Sequence, residues 1–204
     1  MKFLKIFALL LFITSCAAED DYVPVYIEPV YVDHPESSIK VDITYILPSD
    51  TSSKSIYNLN EKEFIDKLNG HFFNRYNIGL ELGNSKTMVN PELYDLTDNR
   101  NEETTTFMRE TENSYIKNRV NVYIIKRANT IAIAGIGNDN RALITDEFVY
   151  TTTAAHEIGH ALGLFHTSEE GNLMSQINPH LRTFFSDIQV LKMKNRIEQL
   201  HKRE

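Results

Sequence analysis

The chain has 204 residues, a formal net charge of −7 at pH 7 and one cysteine. Its length fits a single folded domain once the terminal segments are set aside, and its acidic charge argues against nucleic acid or anionic lipid headgroups as partners. A single cysteine excludes an intrachain disulfide bond.

The N-terminal residues have the composition of a secretion signal. Lys2 and Lys5 form a positively charged end, and the apolar run from Phe7 to Ile13 is too short to span a membrane as a mature helix. The tetrapeptide Ile13-Thr14-Ser15-Cys16 resembles a bacterial lipobox, in which the cysteine is lipidated and becomes the first mature residue. We therefore predict a lipoprotein signal peptide over residues 1–15 and a lipid anchor at Cys16 in the bacterial envelope, at the outer membrane or cell surface. The alternative is an ordinary cysteine of a signal sequence.

Residues 16–38 form an acidic, proline-containing segment. Between Ala17 and Ile39 there are six acidic residues and neither lysine nor arginine. Because the interspersed prolines disfavour a helix, the composition predicts an extended tether before a folded domain at residues 39–204. The triplet Glu19-Asp20-Asp21 resembles the surface-export signals of some Bacteroidetes lipoproteins, although a solvated linker would have the same composition.

The first half of the predicted domain contains two strands around a helix. Apolar and polar residues alternate from Ile39 to Leu47, which predicts a strand with one polar face. Asn60 with Glu63 is a capping signal for a helix. The apolar face of that helix is formed by Phe64, Ile65, Leu68, Phe72 and Tyr76. A second strand is predicted from Leu80 to Val89, and the polar stretch from Pro91 to Lys117 is predicted as a long surface loop.

The second half contains further strands and a C-terminal helix. A third strand is predicted by Val120, Val122 and Ile124. Two short strands, Ile131 to Gly135 and Ala142 to Thr145, flank the turn signal Gly137-Asn138-Asp139-Asn140. Ser186 with Gln189 is a capping box, and it opens a helix with the apolar residues Ile188, Leu191, Ile197 and Leu200.

Three histidines fall within residues 156–166, HEIGHALGLFH. Helix formers and an apolar stripe from Thr153 to Leu164 predict a buried helix, on which His156 and His160 are one turn apart and can converge on one ion. Gly163 can adopt the left-handed conformation that ends a helix, so the chain can turn back and bring His166 to the same ion. A lone histidine on an apolar helix is usually structural, but this spacing favours a metal site. Three neutral imidazoles with an open fourth position are typical of catalytic zinc.

This segment matches the extended zinc signature of the metzincin metallopeptidases and most resembles the matrixin branch. The resemblance implies that His156, His160 and His166 bind one Zn²⁺ and that Glu157 is the general base. It implies that Met174, in Asn172-Leu173-Met174-Ser175, forms the methionine turn at the floor of the site. It also implies the fold class: an α+β, zincin-like metzincin catalytic domain with a mixed twisted sheet of about five strands and three main helices.

The resemblance extends to ligands and partners. It implies that an extended peptide substrate pairs with the edge strand at Ile131 to Gly135. Asp146-Glu147 resembles a calcium-contacting pair of matrixins, so Ca²⁺ is a second candidate ion, although an ordinary strand end is the favoured interpretation. Thr167 stands where matrixins usually have serine. Gln176 stands where related branches have a zinc-binding tyrosine, so no tyrosine ligand is expected. We expect a monomer that contacts the membrane through its lipid.

The sequence as a whole predicts a lipid-anchored zinc endopeptidase. The alternative is a catalytically silent zinc-binding envelope lipoprotein that acts as a binding module. Glu157 argues against this alternative, because a scaffold without turnover has no use for a base at that position. Asp33 in the tether is a candidate for blocking the zinc, as an aspartate does in some bacterial matrixin-like enzymes, but an acidic tether needs no such role.

Overall fold

The computed structural model describes residues 25–98, 102–129, 132–134 and 139–203. Its strands and helices, in chain order, are β1 (Ser37–Leu47), α1 (Glu61–Leu68), β2 (Ile78–Val89), α2 (Pro91–Tyr94), β3 (Asp95–Leu96), α3 (Glu103–Glu110), β4 (Val120–Ile125), β5 (Arg127–Ala128), β6 (Ala132–Ala134), β7 (Arg141–Thr145), α4 (Thr152–Ala161) and α5 (Asp187–His201). The predicted signal peptide, Cys16, the triplet Glu19-Asp20-Asp21 and the first half of the turn at residues 137–140 lie outside the described residues. No helix within the described ranges is long and apolar enough to cross a membrane.

Five strands form one mixed sheet in the order β2-β1-β4-β7-β6. The first four are parallel, and β6 pairs antiparallel with β7 at the edge. A separate small sheet pairs β3 with β5. With α1, α4 and α5 as the main helices, this architecture confirms the predicted α+β class.

Strand β1 is buried on both faces, so the prediction of one polar face is wrong. Asp42 is only 3% exposed, although it lies on the face that was predicted to be polar. Its carboxylate accepts hydrogen bonds from the Asn84 backbone N–H (2.8 Å) and the Arg119 guanidinium (3.0 Å). A parallel strand inside a sheet is covered on both sides, and β1 lies between β2 and β4. Asp42 is therefore a satisfied core residue.

Both predicted helix caps are present. The Asn60 side chain accepts a hydrogen bond from the Glu63 N–H (3.1 Å) at the start of α1, and Ser186 and Gln189 form the capping box of α5. The predicted apolar face of α5 is only half correct, because Ile188 and Leu191 are 70% and 61% exposed. The residues of α5 that are buried in the core are Met193, Ile197 and Leu200.

The stretch from Pro91 to Lys117 is not a surface loop, so that prediction is wrong. It contains α2 and α3, and its residues Leu93, Leu96 and Phe107 are fully buried. They pack against Ile46, Tyr123, Ile125 and Leu143 in a second core. Because neighbouring strand residues point to opposite sides, this core covers the sheet face opposite the main one. The sequence did carry one signal for α2: Asn90, whose side chain caps the Leu93 N–H (2.9 Å), followed by proline at the first helical position.

The last part of the predicted tether is bound to the domain. Backbone groups of residues 27–30 are hydrogen bonded to the segment after α1, through Val30 N and Gly70 O (2.7 Å), Ile27 O and His71 Nδ1 (2.9 Å), Glu28 O and Arg75 Nη2 (2.8 Å), and Val30 O and Asn74 Nδ2 (3.2 Å). Glu36 pairs with Lys194 of α5 at 2.5 Å. Asp33 lies between these positions, and within the described ranges it makes no hydrogen bond or ion pair with the three histidines of residues 156–166.

A buried arginine connects α3 to the sheet. Arg141, the first residue of β7, is 5% exposed. It forms an ion pair with Asp139 (2.6 Å) and donates hydrogen bonds to Met108 O (3.0 Å) and Thr111 Oγ1 (2.9 Å). Burial by itself would lower the pKa of Arg141, but the hydrogen bond and charge of Asp139 outweigh it and hold the pKa above its ordinary value.

We predict that Arg141→Leu lowers the free energy of unfolding by about 3 kcal/mol, because it leaves the Asp139 carboxylate without its partner and α3 without its attachment. Arg109→Leu is the control, since Arg109 also pairs with carboxylates, those of Glu92 and Glu110, but is exposed on α3. Urea denaturation of both variants measures the difference. Equal stability of the two variants would contradict the prediction.

Candidate active site

Three imidazoles converge at the end of α4. Their Nε2 atoms are separated by 3.2 Å for His156 and His160, 3.3 Å for His156 and His166, and 2.9 Å for His160 and His166. His156 and His160 are buried, and His166 is exposed. Among the described residues, these three form the one group of histidine, cysteine or acidic side chains that could hold a metal ion.

Backbone carbonyls define which imidazole nitrogen carries the proton. His156 Nδ1 lies 2.7 Å from Leu173 O, and His160 Nδ1 lies 2.8 Å from Leu164 O. A carbonyl only accepts hydrogen bonds, so each Nδ1 must donate, and each neutral ring then presents an Nε2 lone pair to the centre. Nitrogen lone pairs this close repel one another unless a cation lies between them. Tetrahedral zinc with Zn–N bonds of about 2.0–2.1 Å places its nitrogen ligands about 3.3 Å apart, so these residues fit zinc.

The backbone turn after α4 brings the third histidine back. The helix ends at Ala161, and Gly163 has a φ of +88°, in the left-handed region that favours glycine. The Leu164 N–H donates to Gly159 O (3.0 Å), which fixes the reversal of the chain. Two residues later His166 lies against the other two rings.

Met174 lies directly beneath α4. It is fully buried, and its Sδ would be only 2.6 Å from a Cβ added to Gly159, the residue that precedes His160. The Thr167 N–H donates to Met174 O at 3.1 Å, which joins the methionine segment to the chain just after His166. Close approach of Met174 therefore requires glycine at position 159.

A buried asparagine holds the segment that orients His156. Asn172 Oδ1 accepts from the Met174 N–H (2.8 Å), and its Nδ2 donates to Glu169 Oε2 and to Gln189 Oε1, each at 2.9 Å. Gln189 belongs to the capping box of α5. The network thus ties the start of α5 to Leu173, whose carbonyl accepts the His156 proton. The sequence places Asn172 only in the methionine turn, because its partner Gln189 is distant in the chain.

The interior of the site is strongly desolvated. Burial lowers the pKa of His156 to about 3 and that of His160 to about 4, so both rings are neutral at physiological pH. Glu157 is also buried, and burial raises its pKa to about 8 while the positive charge of Arg182 opposes this change. No sequence motif includes Arg182, so its position near Glu157 is seen only in the structure.

The acidic pair at the end of β7 has structural contacts. Asp146 accepts hydrogen bonds from the Asn58 N–H (3.0 Å) and from Lys126 Nζ (2.8 Å). A lysine ammonium at this carboxylate disfavours a second cation, and Glu147 is exposed. The contacts favour the strand-end interpretation over Ca²⁺. Gln176 is exposed in the position at which related branches have tyrosine.

The family model of the matrixins (Peptidase_M10) matches residues 53–191. Among solved structures, archaemetzincin from Methanopyrus kandleri is 13% identical with a TM-score of 0.53, over 80% of this chain and 97% of that one. Mirolysin, in complex with a compound, is 14% identical with a TM-score of 0.52, over 82% and 97%. Metalloproteinase-II from Bacteroides fragilis is 17% identical with a TM-score of 0.49, over 86% of this chain and 57% of that one. This chain thus spans little more than half of that protein's length. No curated protein matches the chain in sequence.

The family match covers more than half of the chain, so the chain belongs to the matrixin family. Membership confirms the predicted resemblance to the matrixins. At their low sequence identities, archaemetzincin and mirolysin add evidence for the fold alone.

We predict that Asn172→Ala weakens zinc binding by about 10- to 100-fold, because the carbonyl that orients His156 loses its support. Asn84→Ala on β2 is the control, since Asn84 is exposed and remote in sequence from the metal-binding segment. Competition with a chromophoric chelator measures the zinc dissociation constant of each variant. Unchanged affinity in Asn172→Ala would show that Leu173 is held without this network.

Proposed function

We propose that this matrixin is an endopeptidase in which His156, His160 and His166 hold the zinc, Glu157 is the general base and Met174 forms the floor of the site. One observation carries the proposal: three Nε2 atoms converge within 2.9–3.3 Å of one another, and a buried carboxylate occupies the helix position next to His156. Zinc held by three imidazoles supplies Lewis acidity, which increases the acidity of water and the reactivity of a peptide carbonyl.

The chain's own residues perform the proton transfers. The carbonyls of Leu173 and Leu164 keep His156 and His160 in the tautomer with a free Nε2. Glu157, as a carboxylate, accepts a proton from the attacking water while the water oxygen bonds to the peptide carbon. Glu157 then donates that proton to the leaving nitrogen as the C–N bond breaks, so it ends the cycle ionised. The positive charge of Arg182 favours the carboxylate form that the first step needs.

We propose that the substrate binds as an extended chain along β6. This strand is the outer strand of the sheet, and it pairs antiparallel with β7 on its inner side. Its other side is an edge at which a peptide can add by main-chain hydrogen bonds, without restriction on side chains. Helix α4 contacts both β6 and β7, so a peptide on this edge would pass beside the histidines.

We propose that the mature enzyme is a monomer anchored to the bacterial envelope through lipid on Cys16. Support comes from the N-terminal sequence, in which a charged end and a short apolar run precede a lipobox-like Ile13-Thr14-Ser15-Cys16. The 8 residues from Cys16 to Val23 then lie between the lipid and Pro24. Residues 27–30, which are hydrogen bonded to the domain, follow shortly after.

We predict that Glu157→Ala retains near-stoichiometric zinc but loses at least 10²- to 10⁴-fold in peptidase rate, the usual contribution of a general base. His160→Ala should lose zinc and rate together, because two imidazoles bind the ion far more weakly than three. Metal analysis and the cleavage rate of one peptide are measured for both variants. A Glu157→Ala variant as fast as wild type would exclude this site as the hydrolytic centre.

We predict that Cys16→Ala releases the protein from the membrane fraction, because it removes the lipidated residue. Cell fractionation and the mass of the mature protein, compared with wild type, measure the effect. A Ser15→Ala variant is the control, since it keeps the cysteine. A Cys16→Ala protein that stays in the membrane fraction with unchanged mass would contradict the prediction.

A further inference from the structure

A cavity of about 510 Å³ lies at the start of α4. Thr151 and Thr152 line it from the helix, His180 and Arg182 from the segment after Met174, and Phe72 from the segment after α1. Thr152 precedes His156 by four residues and therefore lies on the same helix face, about 6 Å away along the axis. The cavity is thus one helical turn from the metal ligands, and its volume lies in the range of ligand pockets, which leaves ample room for a substrate side chain.

The charge of this cavity is opposite to that of the protein. The chain has a net charge of −7, yet the described residues that line the cavity include Lys67, Arg182 and two histidines and no acidic residue. The N-terminus of α4 adds partial positive charge from its free N–H groups. Lys67 already has partners, because it pairs with Glu63 at 3.0 Å and lies over the Tyr150 ring. Arg182 is therefore the cation that needs an explanation.

Arg182 is buried and has no ion-pair partner within the described ranges. It is 7% exposed, and its Nε donates to Ser175 O at 2.8 Å. Among the described residues no carboxylate lies within 4.0 Å of its guanidinium, and no hydrogen-bond acceptor contacts its two terminal nitrogens. Burial lowers the pKa of Arg182, and the more distant charge of Glu157 compensates only in part. Arg182 lines the cavity, where a ligand can reach it. A carboxylate would compensate its charge, and a guanidinium matches the geometry of a carboxylate.

We infer that Arg182 is a specificity-determining residue that binds the carboxylate of an aspartate or glutamate side chain adjacent to the scissile bond. This inference rests on the proposed peptidase function. The acidic side chain enters the cavity beside Thr152 and meets the two terminal nitrogens of Arg182, while Nε stays on Ser175 O. An uncharged amide of the same shape fills the same space but forms no ion pair. Hydrogen bonds to charged groups of this strength correspond to about 10- to 100-fold in kcat/KM.

Peptide pairs that differ only by Glu or Gln at one position test the inference. Each position within three residues of the cleaved bond is varied, and kcat/KM is measured for zinc-loaded wild type, Arg182→Gln and Arg182→Lys. We expect wild type to prefer Glu by about 10- to 100-fold at one position. Arg182→Gln should bring this ratio near one, and Arg182→Lys should restore part of it. Because the ratio is taken within each variant, a general loss of activity cancels. Arg109→Gln, on the exposed surface of α3, is the control and should keep the wild-type ratio.

Binding of the same peptides to Glu157→Ala, measured by fluorescence anisotropy, separates this inference from the proposed function. If the Glu peptide binds more tightly than the Gln peptide, and this difference is lost when Arg182→Gln is added, the inference is supported even if wild type cleaves no peptide. A failure of wild type to cleave any peptide would overturn only the proposed function. Equal handling of Glu and Gln at every position, or a preference that survives Arg182→Gln, overturns the inference.

Discussion

The site depends on three imidazole nitrogens held close together, two of which present lone pairs that would repel each other without a cation. Their separations of 2.9–3.3 Å are those of ligands around one small ion. Two of the rings cannot relax by changing tautomer, because Leu173 O and Leu164 O hold their Nδ1 protons. Two backbone carbonyls therefore orient two of the metal-binding rings, and other segments of the domain hold those carbonyls in place.

Support for the carbonyls comes from distant parts of the chain. Leu164 is fixed by the reversal at Gly163, while Leu173 donates its N–H to Phe184 O (2.6 Å) and is flanked by the Asn172 network. That network ends at Gln189, so the capping box of α5 both starts a helix and steadies the metal site. Beneath it, Met174 packs on Gly159, where a side chain would displace its sulfur. The capping box thus supports one ligand, His156, while Met174 packs on the helix residue that precedes another, His160.

Five of the six buried aspartate, glutamate and arginine residues in the described part of the chain fall into two kinds, and Arg196 is the sixth. Asp42, Arg141 and Asp146 have partners of opposite charge within 2.6–3.0 Å, and they connect elements of the fold. Arg182 and Glu157 have no such partner at contact distance in the described part of the chain, and both lie beside the metal-binding residues. Buried charged groups without a full counter-charge are expected at sites of catalysis or ligand binding. The contrast separates structural ion pairs from groups available to substrate and water.

The sequence by itself determined the features that depend on local chain geometry. Spacing along a helix places His156 and His160 one turn apart, Gly163 permits the reversal, and Asn60 and Ser186 cap helices through residues three positions away. Only the tertiary structure decided what lies against each surface. The covering of Asp42 in β1, the burial of Phe107 in a stretch predicted as loop, the exposure of Ile188 and the approach of Arg182 to Glu157 all depend on contacts between distant segments. A periodic pattern shows which residues share one face of a helix or strand, but not which distant segment packs on that face. The periodicity of the sequence therefore did not indicate those contacts.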